Sequence, residues 1–336
     1  MNSYLEQAEQ AIRAVVIYSD TSYSWLGRRI PSLTPSVKKR VGPEEARNSL
    51  VYKLQQQLYG DFYTQGSAGR REPVDSRLLP GVTPFVQALS AANMGLGCNE
   101  DGWLITAVKN DEIVAQKNGP AFRIGLTDCS HPSGASITVG TLVTVHLPKE
   151  RLNLSPHFYM ALGNEQLPDL DATEIIRFYW NLTAGSAAPF MQAATRLLNE
   201  ANLPFHLKVL RDPVLYSRCD AGVIYVPKKN YDATVEVLID VYRSIAGKLK
   251  RSTPVFTKPL APGLGLAENP PSSQSFGEHR CGLLANAIIL AHEQKIKSMA
   301  DRLKYVEEQF EGEKIRIEAP FLNPHSLDNY QFPRVS

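Results

Sequence analysis

Residues 253–280 place the strongest local constraint on the fold, because five prolines and three glycines fall within this one stretch. Proline fixes φ and lacks an amide donor, and glycine reaches left-handed conformations, so we expect neither a helix nor a central strand to cross it. The stretch also contains more apolar residues, such as Phe256 and Leu264, than a disordered linker retains. We therefore interpret it as a shaped loop, which either is functional or packs beneath a helix with its charges in solvent.

The composition is that of a globular protein with one large domain or two of ordinary size. The chain has 336 residues, of which 43% are hydrophobic and 21% charged, and this is enough to bury a large core. A net charge of +2, from 36 basic and 34 acidic residues, argues against nucleic acid as the main partner. We predict a helical N-terminal region at 1–100 and an α+β domain at 101–336, or one continuous domain.

The cysteines and histidines predict neither a metal site nor a disulfide framework. The four cysteines form no Cys-x-x-Cys pair, and the seven histidines lack metal-ligand spacing. No apolar run is long enough to span a bilayer, and the N-terminus lacks the pattern of a secretory signal. We therefore expect no metal, no cofactor and no membrane contact, and a cytoplasmic location.

Hydrophobic periodicity predicts helices early in the chain and strands from Trp103 onward. We expect an amphipathic helix at 4–18, a mobile connection at 20–42 and a second helix that begins at Pro43. Strands and then mixed units follow, which favours an α+β fold with a mixed, mainly antiparallel sheet flanked by helices. Beyond the proline-rich segment we expect one long helix at 278–309 and then an edge strand in IRIEAPFL.

Three strands with strict alternation, at 174–182, 205–210 and 217–226, form the most regular unit. If their apolar sides meet the core, the other side of a single sheet carries basic side chains, a phenol and a carboxylate. That set is Arg177, Tyr179, His206, Lys208, Arg218 and Asp220.

Such a face has two interpretations. One is the ordinary solvent-exposed side of an antiparallel sheet. The other is a site for an anion with phosphate-like oxygens, completed by Lys258, His279 and Arg280 of the proline-rich segment, because arginine and lysine are the usual phosphate partners. The chain has no GxxxxGK[ST] motif, no kinase catalytic motif and no GxSxG. Anion binding without a nucleotide motif fits recognition of a phosphorylated residue, or elimination of its phosphate.

Four stretches of the sequence carry a family resemblance: FYWNLTAGSAAPFMQAATRLLNEANLPFHLKVL, YSRCDAGVIYV, FTKPLAPGLGLAENP and SFGEHRC. Over roughly residues 120–290 the chain resembles the HopA-type family of bacterial type III effectors. That family has relatives in the biosynthesis of class V lanthipeptides and thioamitides. The resemblance implies a lyase that acts on a phosphorylated precursor peptide beside an aminoglycoside-phosphotransferase-like kinase.

The implied reaction is β-elimination of phosphate from phosphoserine or phosphothreonine, which leaves a dehydroamino acid. It requires a base for the Cα proton, cations for the phosphate and an acid for the departing oxygen. A lysine that acts as the base must be neutral, and burial and neighbouring cations favour the neutral amine. We expect Lys208 as the first candidate for the base and Lys258 as the second, with His279 as the acid.

The remaining expected site residues bind the phosphate or orient the residues that do. The expected phosphate ligands are Arg218 and Arg280, followed by Arg177 and Arg123. Asp220 is expected to orient Arg218, and Tyr179 is expected to orient neighbouring groups. The alternative function is a non-catalytic phosphopeptide-binding module, or a host-directed effector that is secreted into a host cell.

Overall fold

Helices occur at both ends of the chain and between the strands of its largest sheet. The structure, a computed structural model, describes residues 3–68, 83–117, 119, 121–152, 155–167, 174–272 and 274–334. The helices of this part are α1 Ser3–Ala14, α2 Pro35–Lys38, α3 Pro43–Asp61, α4 Pro84–Ala92, α5 Ala184–Glu200, α6 Tyr231–Ile245, α7 Phe276–Glu293 and α8 Met299–Gly312.

The strands of the described residues form three antiparallel sheets. In chain order they are β1 Val15–Ser19, β2 Ser22–Trp25, β3 Arg28–Pro31, β4 Cys98–Lys109, β5 Glu112–Gln116, β6 Ala121–Gly125, β7 Cys129–Ser130, β8 Leu142–Leu147, β9 Glu150–Arg151, β10 Phe158–Leu162, β11 Ile175–Trp180, β12 His206–Leu210, β13 Gly222–Pro227, β14 Lys258–Ala261 and β15 Leu264–Glu268. The sheet orders are β1-β2-β3, β14-β15-β11-β13-β12-β10-β9 and β6-β5-β4-β8-β7. The predicted α+β class is confirmed.

The seven-stranded sheet lies between two layers of helices. Neighbouring residues of β11 point to opposite faces, so Trp180 packs on one layer and Tyr179 on the other. The ring centroid of Trp180 is 5.0 Å from that of Phe190 in α5 and 6.2 Å from that of Tyr242 in α6. On the other face, the ring centroid of Tyr179 is 6.3 Å from that of Phe276 in α7.

One hydrophobic core extends from the first helix to the C-terminal segment. Tyr4 of α1, Phe178 of β11 and Tyr330 near the C-terminus all belong to it. The five-stranded sheet has a smaller core of its own, built around Trp103 and Ile105. The proposed boundary at residue 100 stays a prediction.

The N-terminal region contains a sheet where we predicted a mobile connection. The first helix ends at Ala14, and β1, β2 and β3 follow within the expected loop at 20–42 and just before it. The turn between β2 and β3 passes through Leu26 and Gly27, whose φ angles are 48° and 82°, and such angles suit a tight hairpin turn. The predicted start of α3 at Pro43 is confirmed.

The proline-rich segment contains a β-hairpin, so the prediction that no central strand crosses it is wrong. β15 lies between β14 and β11 and pairs with both. Pro259 lies in the edge strand β14, where a missing amide donor is tolerated. Pro262 and Gly263 form the turn. Gly263 has a φ of 77°, and a Cβ there would lie 2.2 Å from the carbonyl oxygen of Lys250.

The C-terminal region differs from its prediction in two places. The single helix expected at 278–309 is two helices, because the chain turns through Lys295, which has a φ of 57°. The segment IRIEAPFL forms turns in place of an edge strand. The carbonyl oxygens of Pro320 and Leu322 in this segment accept hydrogen bonds from Arg280 in α7.

The contact between Gly277 and Tyr63 predicts a packing defect on substitution. A Cβ at Gly277 would lie 2.4 Å from the Tyr63 ring, so we expect Gly277→Ala to lower the free energy of unfolding by about 1–3 kcal/mol. Gly185→Ala, where the new Cβ meets nothing within 4 Å, is the helical control and should cost nothing. Urea unfolding of both variants tests this, and equal stabilities would contradict the packing.

Candidate functional site

Strand register brings four of the predicted site residues onto one face of the seven-stranded sheet. On the central strand β13, Tyr225 lies opposite Arg177 of β11 on one side and His206 of β12 on the other. Two residues earlier along β13, Tyr179 and Lys208 face each other across the strand. Paired residues of antiparallel strands share a face. The prediction of one sheet with these side chains on one side is therefore confirmed.

This face is covered by helices, so the interpretation as an ordinary solvent-exposed face is wrong for its inner part. Tyr63, in the turn after α3, lies with its ring centroid 6.2 Å from that of Phe276, which in turn contacts Tyr179. Arg177 is only 8% exposed and Tyr179 only 3%. A buried guanidinium requires specific partners, because an unpaired buried charge is costly.

Arg218 and Asp220 reach the same region from a loop. β13 begins at Gly222, so the alternation counted through 217–226 does not apply before that residue. Within β13, Tyr225 and Val223 lie on the sheet face that carries Arg177 and Lys208. The sequence pattern assigned position 223 to the opposite, core face. Because the predicted strand began at 217, before the actual start of β13, the alternation assigned position 223 to the wrong face of the sheet.

The ring of Phe158 in β10 joins the loop to the sheet. The Nζ atom of Lys208 is 4.5 Å from its centroid, and the Cζ atom of Arg218 is 5.9 Å from the same centroid. Aromatic faces attract cations at these distances. We call the five groups assembled here the cationic cluster. Its members are Arg177, Lys208, Arg218, Asp220 and Tyr225.

Arg218 and Asp220 form a bidentate ion pair inside the cluster. The guanidinium donates from Nε to Oδ1 at 2.8 Å and from Nη2 to Oδ2 at 2.7 Å, and Nη2 also lies 3.3 Å from the hydroxyl of Tyr59. Burial alone would raise the pKa of Asp220, but Arg218 and Lys208 together hold it below the ordinary value. Asp220 is therefore ionised and fixes the plane of the guanidinium.

A half-buried lysine holds the loop that carries Arg218. Lys250 donates from Nζ to the carbonyl oxygen of Tyr216 at 2.5 Å and to that of Arg218 at 3.1 Å. Burial lowers the pKa of Lys250. These hydrogen bonds tie the backbone around Arg218 to the segment before the proline-rich hairpin.

Arg177 is held from two directions. Its Nε atom donates to Oδ1 of Asn269 at 2.8 Å, and its Nη2 atom donates to the same oxygen. Its Cζ atom lies 5.1 Å from the ring centroid of Tyr225. The partner is a neutral amide, so in the part of the chain that the structure describes no contacting carboxylate balances the positive charge of Arg177.

Lys208 and Tyr225 form a part of the cluster that is in contact with solvent. Both side chains are partly exposed, and Nζ of Lys208 lies 5.3 Å from the Tyr225 ring centroid. Over the described ranges, Lys208 has no salt bridge to a carboxylate. Burial alone would raise the pKa of Tyr225, but Lys208 and Arg177 outweigh it, so the pKa lies below the ordinary value of a phenol.

Tyr179 lies at the deep end of the cluster. Its hydroxyl makes no hydrogen bond of good geometry with any described residue, although Arg177 and Tyr63 lie close to it. Burial raises the pKa of Tyr179. A buried polar atom with open capacity next to a cation is a feature of binding sites.

Among the described residues His279 and Arg280, at the start of α7, form hydrogen bonds outside the cationic cluster, although the charge of Arg280 acts on Tyr179. Arg280 is fully buried and donates from Nε to the Pro320 carbonyl at 2.7 Å and from Nη2 to the Leu322 carbonyl at 2.9 Å. Its third nitrogen lies 2.8 Å from Nδ1 of His279. Burial and the charge of Arg280 lower the pKa of His279 to about 4. These contacts favour a structural role for both residues.

Lys258 and Arg123 also lie away from the cluster. Lys258 pairs in register with Leu266, which lies opposite Phe178 on the other face of the sheet. Its Nζ atom contacts Asp328 at 2.6 Å. Arg123 is exposed on β6 of the five-stranded sheet, beside a cavity that Trp103, Phe122 and Arg151 also line. His206 shares the cationic face, but burial and Arg151 lower its pKa to about 4.

The sequence analysis missed three kinds of group in this site. Tyr225 was missed because the predicted strand began too early, which reversed the assignment of its residues to the two faces. A strand that began at Gly222 would have placed Tyr225 on the face that carries Arg177 and Lys208. Phe158 and Tyr59 contribute aromatic surface for cations, and no sequence pattern pairs either with Arg218. His157, whose pKa is lowered by burial and by Arg218, borders the cluster without a motif that signals it.

The arrangement is chemically suited to a dianionic oxygen group. Three cations surround one carboxylate, and the carboxylate is already paired with Arg218. Among the described residues no three His, Cys, Asp or Glu side chains form a metal-ligand group, and no helix there is long and apolar enough to cross a membrane. Phosphate is the group that such arginine and lysine sets bind most often.

Comparison with known proteins gives one family and several similar structures. The model of the HopA1 effector protein family matches residues 149–322, just over half of the chain. The effector protein from Pseudomonas syringae pv. tomato strain DC3000 aligns with a TM-score of 0.47 and 14% identity, over 82% of this chain and 95% of that one. The effector protein from Pseudomonas syringae pv. syringae strain 61 aligns with a TM-score of 0.43 and 13% identity, over 83% and 97%. No curated protein matches the chain.

The buried ion pair predicts a large effect of removing its carboxylate. Asp220→Asn leaves the Arg218 guanidinium, whose side chain is 14% exposed, without a counter-charge, and we expect a loss of about 3–5 kcal/mol in the free energy of unfolding. Asp240→Asn breaks an exposed pair with Arg243 and should cost no more than about 0.5 kcal/mol. Urea unfolding compares the two. Similar losses of unfolding free energy in both variants would show that burial of the Arg218–Asp220 pair does not raise the cost of removing its carboxylate.

The two histidines with lowered pKa values predict loss of stability in mild acid. His206 and His279 titrate at about 4 in the folded protein and near the ordinary value of 6.5 when unfolded. The unfolded chain therefore takes up protons first as the pH falls from about 6.5 to 4, and the free energy of unfolding decreases. The limiting slope is about 1.4 kcal/mol per pH unit for each histidine, and solvent screening reduces it for the half-buried His279.

Unfolding in urea at a series of pH values measures this slope. The variants His206→Gln and His279→Gln should each show a flatter dependence than the wild type. Curves that stay parallel to the wild type would contradict the assignment of the slope to these side chains.

Proposed function

Because the chain belongs to the HopA1 effector protein family, we propose that it is a phospho-lyase of the kind implied by the family's biosynthetic relatives. It eliminates phosphate from phosphoserine or phosphothreonine in a ribosomally made precursor peptide and leaves a dehydroamino acid. The observation that carries the proposal is the cationic cluster, where the Lys208 amine, which has no salt bridge among the described residues, lies near Arg177 of the same sheet face and Arg218 of the adjoining loop.

Lys208 is the proposed base. It projects from a strand, and a strand fixes geometry better than a loop. In the described part of the chain no carboxylate forms an ion pair with its amine, whereas Lys258 is committed to Asp328 at 2.6 Å. Partial exposure lets a peptide backbone approach the amine.

Arg218 and Arg177 are the proposed phosphate ligands. Asp220 uses Nε and Nη2 of Arg218, and Asn269 uses Nε and Nη2 of Arg177. Within the described ranges neither Nη1 atom forms a hydrogen bond of good geometry, so each can donate to a phosphate oxygen. Tyr179 adds a hydroxyl with open hydrogen-bonding capacity next to Arg177. The departing phosphate develops negative charge, and preorganised donors that face it stabilise the transition state.

The proposed substrate and partners follow from the reaction. Phosphate must first be attached to the peptide, so the lyase acts beside an aminoglycoside-phosphotransferase-like kinase in the bacterial cytoplasm. The competing function is a phosphopeptide-binding effector that acts in a host cell and does not turn its ligand over. The same cluster would bind the ligand in both cases, so the two functions differ only in whether elimination follows.

A mass-spectrometric assay with a synthetic phosphothreonine peptide tests the proposal. The wild type should convert the peptide to its dehydrobutyrine form with release of phosphate. Lys208→Met keeps most of the side-chain stem and removes the amine, so we expect turnover to fall by about 10²- to 10⁴-fold. Binding of the peptide, followed by fluorescence anisotropy, should survive in this variant.

Lys258→Met is the matched control, since it changes the same residue type on the opposite face of the sheet. It should retain near-normal turnover. If Lys258→Met abolished turnover while Lys208→Met retained it, Lys258 and not Lys208 would be the base. Tight binding by the wild type with no release of phosphate, with candidate kinases also supplied, would favour the phosphopeptide-binding effector.

A further inference from the structure

Elimination of phosphate moves two protons, and Lys208 can account for only one of them. When its amine takes the Cα proton, the C–H electrons form the Cα=Cβ double bond and the Cβ–O bond breaks. The bridging oxygen then leaves with the electrons of that bond. A phosphate trianion is a poor leaving group, so a proton must reach this oxygen as it departs.

Resting on the proposed function, we propose that the Tyr225 hydroxyl donates this proton and that its phenolate then recovers a proton from Lys208. The donation gives hydrogen phosphate. The return transfer converts the ammonium and the phenolate back to amine and phenol. The cycle balances without any other acid, base or co-reactant, and both groups are ready for the next substrate.

The position of Tyr225 supports both transfers. Its ring lies between the two cations of the sheet, with Nζ of Lys208 at 5.3 Å and Cζ of Arg177 at 5.1 Å from the centroid. Strand register holds it opposite Arg177 on one side and His206 on the other. A phosphate held by Arg177 and Arg218 therefore lies on the same face as this phenol.

The other acids near the cluster are less suited to the task. Asp220 is ionised in its pair with Arg218, and burial raises the pKa of Tyr179. His279 is bonded to Arg280 outside the cluster and titrates at about 4. His157 is also neutral near pH 7, because burial and Arg218 lower its pKa. Tyr225 combines a partly exposed side chain with a location inside the cluster, between Arg177 and Lys208.

The surrounding charges make Tyr225 a stronger acid than an ordinary tyrosine. The ionisable groups that act on it are Arg177 and Tyr179 of β11, His206 and Lys208 of β12 and Asp220 of the loop before β13. Burial and Asp220 raise its pKa, but the two cations outweigh them. The same cations stabilise the phenolate until the proton returns.

Tyr225→Phe is the first test, because it removes the hydroxyl and keeps the ring that the cations contact. With the phosphothreonine peptide, kcat should fall by about 10²- to 10⁴-fold while KM changes little. Tyr242→Phe, which removes a hydroxyl bonded to the Pro262 carbonyl on the opposite face, is the matched control and should keep its kcat. Both variants should unfold at urea concentrations close to that of the wild type.

The pH profile separates proton donation from a structural role. Replacing Tyr225 by fluorotyrosine, a more acidic phenol, should move one limb of the kcat profile to lower pH, and Tyr225→Phe should lack that limb. Lys208 and Tyr225 exchange a proton in the proposed cycle, so movement of either limb supports the proposal. Ultraviolet titration of the phenolate, wild type against Tyr225→Phe, should show one tyrosine that ionises before the others.

Three outcomes overturn the proposal, and they differ in what else they overturn. A normal kcat in Tyr225→Phe would show that Tyr225 takes no part in the proton transfers. A fluorotyrosine variant whose pH profile has neither limb moved would show the same. Either result would leave the proposed lyase activity standing. A wild type that never releases phosphate from the peptide removes the proposed function together with this role.

Discussion

The gathering of three cations, Arg177 buried and Lys208 and Arg218 partly exposed, against a single carboxylate is the constraint on which this structure depends. A charge that leaves water must find compensation inside the protein. Asp220 compensates Arg218, the amide oxygen of Asn269 accepts from Arg177, and the Phe158 ring lies beneath Lys208. Aromatic faces and neutral acceptors thus replace the carboxylates that a purely structural network would use, and the cluster stays positively charged.

The proline-rich segment shapes this site although none of its basic residues reaches it. Its hairpin adds β15 beside β11, and the residues of β15 opposite Tyr179 and Arg177 are Gly265 and Ala267. A Cβ at Gly265 would lie 2.8 Å from Oγ1 of Thr257, so the small residue leaves room for the chain just before the hairpin. Asn269, directly after β15, supplies the oxygen that fixes Arg177. The segment therefore contributes backbone and space to the site.

Local patterns predicted the elements better than the contacts between them. Alternation identified β11 and β12 and placed Arg177 and Lys208 correctly, because one face of each strand is continuously apolar. The same rule failed at β13, since Cys219 and Ala221 extend the alternation into a loop. Arg280 could not be placed from sequence, because the carbonyls that hold it lie forty residues later in a segment without secondary structure. The hairpin within 253–280 was missed because its prolines lie at the edge and ends of the strands, where they are tolerated.

The hydrogen bonds that Lys250 donates to the carbonyls of Tyr216 and Arg218 have a consequence for the entropy of binding. The backbone around Arg218 is already fixed by the Lys250 amine, and Asp220 selects one orientation of the guanidinium before any ligand arrives. A ligand that meets such a group does not have to immobilise a flexible side chain, which typically costs about 0.5–1.5 kcal/mol. In the proposed site an anion would therefore meet a guanidinium that is already oriented, and selectivity would arise from the shape and charge of the anion.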